Sequence, residues 1–323
     1  MRQGLFFCGV IVALWLAAGC AKPNLRDSLS TLQAPDSGPM LLAIYQPWFG
    51  QKDHLDVGYS CHDPKVLRQQ IAKAREMNIG GFVVNWYGPR QEFEDRTYGL
   101  LQKAASENHF KIAVQYDEAV DHPGYATDAV IVDLQYLYDK YLKPEAGPSR
   151  DAYLRYNGKP VIFIFPKDAR TDWNHIREVT QSWPDPPVLI YEDDSAKYPD
   201  AFDGFYAWVQ PGEAGWARDG SNWGGDYLKD FYKNMRQHHP DKITVGAVWP
   251  GFDDTKASWS LNRHIANRCG KTFEDGLKLF RHYQANEKAP YLLIETWNDY
   301  EEGTAVEKGI DSCHQSGDSR ASS

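Results

Sequence analysis

The chain has 323 residues and a formal net charge of -9 at pH 7, with 42% hydrophobic and 14% aromatic residues. This length suits one large α/β domain or two small ones, and the acidic balance argues against nucleic acid or anionic lipid as a partner. The 11 Trp and 19 Tyr have two explanations, because these rings build large cores and also provide surfaces on which sugar rings stack.

Residues 1–20 read as a secretory signal rather than a membrane span. Arg2 precedes an apolar run that is too short to cross a bilayer, and small residues then lead to Cys20. The ending "LAAGC" resembles a bacterial lipobox, which implies that Cys20 is lipidated and that the protein faces the periplasm or the exterior from a lipid anchor. A plain cleaved signal is the alternative, and residues 21–39 read as a flexible tether.

From Met40 onward, short apolar runs alternate with longer amphipathic segments. The apolar runs predict strands at 41–49, 79–88, 111–118, 159–166, 187–194, 202–210, 242–252 and 290–297. The amphipathic segments predict helices at 63–78, 95–108, 129–142, 171–183, 224–238 and 272–287. Asp63 followed by Pro64 indicates the start of the first helix. Eight strands that alternate with helices predict a single-domain (β/α)8 TIM barrel over 40–310.

Two segments depart from this pattern. The connection after the fifth strand is too short for a full helix, and the residues after Glu307 cannot form an amphipathic one. We therefore expect the last helix to be missing and residues 311–323 to be a disordered tail. Apart from Cys8 and Cys20, the cysteines are Cys61, Cys269 and Cys313. One disulfide is possible in an oxidising compartment, and its pairing stays open.

The predicted strand ends are rich in aromatic, amide and carboxylate side chains. In a (β/α)8 barrel the functional residues lie at the C-terminal ends of the strands. The candidate substrate-binding residues are Tyr45, Trp48, Asn85, Trp86, Tyr116, Glu118, Trp208, Trp249, Asp254, Trp297 and Asn298. Such a set suits a neutral polyhydroxylated ligand, because phosphate would call for Arg, Lys or a helix N-terminus. We expect an oligosaccharide or polysaccharide partner, a monomer, and no cofactor, since no nucleotide-binding glycine motif follows a strand.

The stretch after the last predicted strand, "ETWNDYEEGTAVE", concentrates negative charge. Strand alternation predicts that Glu295, Trp297 and Asp299 share a face that points into the barrel mouth. Glu302 can return over the same cleft, and two crowded carboxylates raise one pKa, which suits acid–base cleavage of a glycosidic bond. Glu301 is expected to be a solvated loop charge. A Ca²⁺ site is the alternative, but EF-hand spacing is lacking and no metal is predicted.

This stretch resembles the "NEWHEGTQIE" segment of glycoside hydrolase family 99, the endo-α-mannosidases. It also resembles the "WNDYGES" segment of family 71, the α-1,3-glucanases. The blocks "AIYQPWFG", "VVNWYGP", "FDGFYAW" and "PGFDDT" are similar to further family 99 segments, so the resemblance covers roughly residues 40–310. It implies a (β/α)8 barrel and cofactor-free, endo-acting cleavage of an α-linked polysaccharide such as α-mannan or α-glucan. Glu302 matches the family's general acid/base, and Asp299 matches the partner carboxylate, which is Glu in family 99 and Asp in family 71.

Two other functions fit the same features. One is a non-catalytic glycan-binding lipoprotein on this fold, and the other is an enzyme that processes surface polysaccharide. The presence of both Asp299 and Glu302 favours a hydrolase over the first, and the signal at residues 1–20 argues against a cytoplasmic biosynthetic role.

Overall fold

The computed structural model describes residues 38–118, 126–167, 170–194, 197–211, 221–285 and 289–313. The predicted signal with Cys20, nearly all of the predicted tether and residues 314–323 lie outside these ranges. No helix in the described part of the chain is both long and apolar enough to cross a membrane.

Eight parallel strands form the centre of the fold. They are β1 (Met40–Tyr45), β2 (Gly81–Trp86), β3 (Lys111–Asp117), β4 (Lys159–Phe165), β5 (Val188–Glu192), β6 (Gly204–Tyr206), β7 (Ile243–Val248) and β8 (Tyr291–Ile294). Each strand pairs with its neighbours in chain order, and β8 pairs with β1, so the sheet closes into a barrel. The strands are buried on both faces, which explains their continuous apolar sequences. The predicted (β/α)8 barrel is confirmed.

Six α-helices of the described residues cover the barrel. They are α1 (Pro64–Glu76), α2 (Glu92–Glu107), α3 (Ala126–Leu137), α4 (Trp173–Gln181), α5 (Gly225–His238) and α6 (Lys271–Gln284). The predicted start of α1 is confirmed, because the Asp63 side chain accepts a hydrogen bond from the Lys65 N–H at 2.8 Å and Pro64 occupies the first turn. Its buried residues recur at helical spacing, at Leu67, Gln70, Ile71 and Ala74.

Helices are short or missing at two places in the barrel wall. A 3-10 turn at Pro199–Ala201 stands between β5 and β6. After β8, the described chain runs without a helix as far as Cys313, which forms a disulfide with Cys269 directly before α6. The predicted tail begins at 311, and the structure describes its first three residues, Asp311–Cys313, of which Cys313 is linked to Cys269 by this disulfide. Cys61 is a buried free thiol.

Several strands end earlier than the sequence predicts. The run 202–210 contributes only the three residues of β6, and the run 290–297 contributes only the four residues of β8. At these points the chain leaves the sheet to form the loops at the C-terminal end of the barrel. Strand alternation therefore stops at Ile294 and does not orient the side chains that follow it.

Candidate active site

A cleft of about 820 Å³ opens at the C-terminal end of the barrel. All eight strands or the loops that follow them contribute to its lining, for example through Gln46, Asn85, Asp117, Phe165, Glu192, Trp208, Phe252 and Asp299. Since the carboxyl ends of parallel barrel strands converge at one face, residues far apart in sequence meet here.

The loop after β8 is tightly held. The Thr296 hydroxyl accepts from the Asp299 N–H at 2.7 Å, and the Thr304 N–H donates to the Asp299 carbonyl at 3.1 Å. The Asn298 amide bonds both peptide groups of Gln46, accepting from its N–H at 2.8 Å and donating to its carbonyl at 3.0 Å. Gly303 has φ +66° and a Cβ there would lie 3.3 Å from the Asp253 backbone, so this turn favours glycine. The loop is thereby fixed against the end of β1.

Asp299 lies at the base of the cleft and is only 1% exposed. One carboxylate oxygen accepts from the backbone N–H groups of Glu301 and Glu302 at 3.0 and 2.8 Å, and the other accepts from the Gln46 amide at 3.1 Å. Burial raises the pKa of Asp299 well above its usual value, and the nearby Glu302 charge raises it further. The backbone donors oppose this shift without cancelling it.

Glu302 is the more open member of the pair, with a side chain that is 19% exposed. Its Oε1 accepts from the Trp259 indole N–H at 2.9 Å, and the Arg263 guanidinium lies 3.9 Å away. Burial raises the pKa of Glu302, whereas the Trp259 hydrogen bond and the Arg263 charge lower it. The sequence predicts a raised pKa for one carboxyl of the pair, whereas in the structure burial raises the pKa of both.

Aromatic rings cover one wall of the cleft beside this pair. Trp48 stacks on His54 with ring centroids 4.8 Å apart, and Trp259 meets Trp48 edge-on at 5.8 Å. The Trp259 ring is 40% exposed and lines the cleft. It therefore offers an accessible stacking surface next to Glu302.

The opposite wall carries a second group of charged side chains. Asp117 forms an ion pair with Lys167 at 3.5 Å, and Glu192 lies nearby. Burial raises the pKa of Asp117 to about 7 and that of Glu192 to about 8, and Lys167 opposes both shifts. Phe165 and Trp208 meet edge-to-face at 5.3 Å on the same wall. A bound chain of sugars would have aromatic rings and hydrogen-bonding groups on both sides.

Five of the predicted site residues line the cleft: Trp48, Asn85, Trp208, Asp299 and Glu302. Their positions agree with the predicted cleft, and their chemical roles stay predictions.

Three predicted binding residues face the helices instead, and their assignment to the cleft is corrected. The Tyr45 hydroxyl donates to Gln70 of α1 at 2.8 Å, and Trp86 and Tyr116 donate to carboxylates of α2 and α3. Each adjoins a cleft-lining residue in sequence, and alternation turns it to the outer face. Their hydrogen bonds join barrel to helices.

The other five predicted binding residues are also buried outside the cleft lining. Glu118 accepts from the backbone after β4 at 2.9 Å, and Trp249 donates to the backbone carbonyl that precedes α5 at 3.0 Å. Asp254 is fully buried and accepts from the backbone N–H groups of residues 261 and 263. Trp297 and Asn298 hold the loop after β8. These buried side chains support the loops that carry the cleft-lining residues.

The predicted common face for Glu295, Trp297 and Asp299 is wrong, because β8 ends at Ile294. Trp297 packs on Phe82 with ring centroids 5.2 Å apart, away from the cleft. Glu295 lies beneath the cleft floor and accepts from the Val209 N–H at 2.6 Å. Burial raises its pKa well above the usual value.

Sequence reasoning missed His54, Lys167, Trp259 and Arg263, which all line the cleft. His54, Trp259 and Arg263 lie in loops several residues beyond the predicted strand ends, whereas Lys167 directly follows the strand predicted at 159–166. One sequence signal could have identified Trp259: it is a tryptophan in the polar loop that follows β7, at the end of the barrel where functional residues lie.

A (β/α)8 barrel with buried carboxyls and aromatic walls at its C-terminal cleft is typical of glycoside hydrolases. Residues 59–318 match the model of glycosyl hydrolase family 71, which is most of the chain. The chain therefore belongs to glycosyl hydrolase family 71.

Two mammalian proteins are also similar to it. The glycoprotein endo-alpha-1,2-mannosidase-like protein of Mus musculus is 24% identical over 278 residues, which are 78% of this chain and 56% of that protein. The protein of the same description from Homo sapiens is 24% identical over 276 residues, with the same coverage of both chains. The chain thus spans about half the length of the curated relatives it matches.

Solved structures share the fold. The GH99 endo-alpha-mannosidase of Bacteroides thetaiotaomicron, in complex with Bis-Tris-propane, has a TM-score of 0.64 and 22% identity over 84% of this chain and 87% of that one. A glycoside hydrolase-like protein has a TM-score of 0.63 and 13% identity over 88% of this chain and 92% of that one. At these identities the likeness extends to the barrel architecture alone.

Proposed function

We propose that this protein cleaves α-linked glycosidic bonds within a polysaccharide, such as α-mannan or α-glucan, through Asp299 and Glu302. The observation that carries the proposal is the placement of both carboxyls in one cleft, three residues apart, with the pKa of each raised by burial. A carboxyl that stays protonated near neutral pH can donate a proton, and a base works best when its pKa is near the working pH.

The roles follow from the surroundings of each carboxyl. Glu302 is the more open group, and its Oε1 already accepts from Trp259. Because an indole N–H can only donate, the acidic proton of Glu302 belongs on the other oxygen. Glu302 gives this proton to the glycosidic oxygen as the bond from that oxygen to the anomeric carbon breaks. Asp299 accepts the proton that the attacking oxygen loses as it bonds to the anomeric carbon. Water is the co-substrate that leaves its hydroxyl on that carbon, and solvent carries the proton from Asp299 back to Glu302.

The two walls of the cleft support endo action. Trp259 lies beside the pair on one wall, and Trp208 with Phe165 lies on the opposite wall. Rings on both sides can hold sugars on either side of the cleaved bond, which an enzyme acting inside a chain needs.

The test is a screen of the purified protein against α-mannans, α-1,3-glucans and other α-glycans, with released oligosaccharides detected by chromatography. An Asp299→Asn/Glu302→Gln double variant controls for contaminating activity. Release by the wild type alone supports the proposal, and oligosaccharides rather than monosaccharides as first products support endo action. Binding without release would instead favour the non-catalytic glycan-binding protein.

We also propose that the mature protein is attached to the bacterial cell envelope through lipid on Cys20. The support is the apolar segment that ends in small residues before this cysteine. Metabolic labelling with a palmitate analogue should mark the wild type and spare Cys20→Ala. Equal labelling of the two proteins contradicts the anchor.

A further inference from the structure

Glu301 is a buried carboxylate that lies between the two proposed catalytic residues in sequence. It is 3% exposed and does not line the cleft, so the expectation of a solvated charge is wrong. Its two oxygens contact the loop between β1 and α1: Oε2 lies 2.9 Å from the His54 Nδ1, and Oε1 accepts from the Leu55 N–H at 2.9 Å. A buried carboxylate needs such partners, because burial without them is costly. Glu301 thus joins the loop after β8 to a loop more than two hundred residues away in sequence.

The contacts continue from His54 back to the catalytic pair. The His54 ring stacks on Trp48 at an interplanar angle of 9° and meets Trp259 edge-on at 6.1 Å. The Trp259 indole N–H in turn donates to Glu302. A ring of contacts therefore runs from Glu301 through His54 and Trp259 to Glu302, the next residue along the chain from Glu301.

We propose that Glu301 is a positioning residue that holds Trp259 against Glu302 by way of His54. The inference rests on the proposed function for its catalytic meaning, because the Trp259 N–H selects which oxygen of Glu302 carries the proton. Without the hydrogen bond of Glu301 to His54, the His54 ring loses its fixed orientation, and Trp259 loses one of its two packing partners in the wall. The Glu302 carboxyl can then turn, and its proton no longer faces one fixed direction.

The first test follows the Trp259 indole N–H by ¹H–¹⁵N NMR of the whole folded protein, with the resonance assigned through Trp259→Phe. Glu301→Ala should shift or broaden this resonance. Glu301→Gln should largely preserve it, because the amide oxygen can still accept from the Leu55 N–H while the amide N–H can donate to an unprotonated His54 nitrogen. The matched control is Glu307→Gln, a carboxyl of the same loop that accepts from Gln70 at 2.9 Å and from Tyr300 at 2.7 Å.

His54→Ala provides a second route if Glu301→Ala does not fold, since it breaks the same chain of contacts from a more exposed loop. A Trp259 resonance that superposes on the wild type in folded Glu301→Ala or His54→Ala overturns the proposal. This NMR readout does not need an active enzyme. If the wild type cleaves no glycan, that result counts against the proposed function, and the NMR comparison still decides whether Glu301 positions Trp259.

Kinetics then separate positioning from simple stabilisation. Glu301→Ala and Trp259→Phe should each reduce kcat on a natural glycan about 10-fold or more, with a smaller loss on an aryl glycoside whose leaving group needs little protonation. If Glu301 acts through Trp259, the double variant should be no slower than the slower single variant. Multiplying losses would show that the two residues act independently, and Glu301 would be a structural residue only.

Discussion

The most direct test of the proposed chemistry is Glu302→Gln. The substitution keeps the shape of the side chain, and the Trp259 N–H at 2.9 Å should hold the amide oxygen in the place of Oε1. The amide nitrogen then occupies the position of the acidic oxygen and has no proton of suitable acidity to give. Removing one acid/base group costs about 10²–10⁴ in rate, which corresponds to about 2.7–5.4 kcal/mol of transition-state free energy.

The assay compares two substrates with different leaving groups. Glu302→Gln should lose this full factor in kcat/KM on a natural α-glycan, and much less on an activated aryl α-glycoside, since an aryl oxide departs without protonation. Asp299→Asn should be damaging on both substrates, because the attacking hydroxyl needs its base whatever group departs. The control is Glu107→Gln, which alters an exposed carboxyl at the end of α2 on the outside of the barrel.

Two outcomes would refute this reasoning. Equal losses on both substrates for Glu302→Gln, together with an active Asp299→Asn, would mean that the two roles are wrongly assigned. If both variants match the wild type while hydrolysis is measurable, the catalytic carboxyls lie elsewhere in the cleft, and Asp117 and Glu192 on the opposite wall become the next candidates.

Three further predictions concern binding, pH and the disulfide. Trp208→Ala and Trp259→Ala should each weaken oligosaccharide binding in calorimetry by about 1–3 kcal/mol, and unchanged affinity in both would place the ligand elsewhere. Burial raises the pKa of Glu192 to about 8, whereas a glutamate of the unfolded chain releases its proton near pH 4.3. Between these pH values the folded protein holds a proton that the unfolded chain has lost, so the stability of the wild type should fall as pH rises. Glu192→Gln should therefore melt higher than the wild type at pH 9 but not at pH 4, and equal differences at both pH values would contradict this. Reductant should destabilise the wild type by up to about 4 kcal/mol, the chain-entropy value for the Cys269–Cys313 separation of 44 residues, whereas an unchanged urea midpoint would show that the bond contributes little.

The barrel could be predicted because its strands are buried on both faces. Each strand is then an apolar run that is visible in a window of a few residues, and the helical period between the runs is equally local. Two helix starts carry local signals as well, Asp63 with Pro64 for α1 and Asp172 for α4.

The cleft could be predicted only in part, because a shift of one residue exchanges the two faces of a strand. At the end of β1 the sequence predicts that Tyr45 lines the cleft, whereas its neighbour Gln46 does so in the structure. At the end of β2 the sequence predicts both Asn85 and Trp86, but only Asn85 lines the cleft. Apolar composition locates a strand end to within a residue or two, which is too coarse to decide between neighbours. The aromatic member of each pair is the one that reaches a helix.

The contacts within the cleft were beyond local inference for a different reason. Trp259 reaches Glu302 across 43 residues of sequence, and His54 reaches Glu301 across 247. No periodicity relates such positions, and only the closure of the barrel brings their loops together. Glu301 illustrates the consequence, since a charge in a short polar loop reads as solvated until a distant loop is found to cover it.

The distribution of perturbed carboxyls gives an independent argument that this end of the barrel is functional. Among the described residues, every carboxyl whose pKa is raised stands at or after the end of β3, β5 or β8: Asp117, Glu192, Asp194, Glu295, Asp299 and Glu302. Burial is the leading cause of the shift in each case, so each group costs folding free energy when it ionises. Replacing such groups with amides would remove that cost without changing their shape. Among the described carboxyls with depressed pKa values, Asp139 and Asp275 pair with lysines on the outside of the barrel, whereas Asp254 is buried and pairs with Arg263. Asp117, Glu192, Asp299 and Glu302 line the cleft, and Asp194 and Glu295 lie outside its lining. Because acids with raised pKa values cluster at functional sites, the pattern supports acid–base chemistry at this face even without reference to any relative.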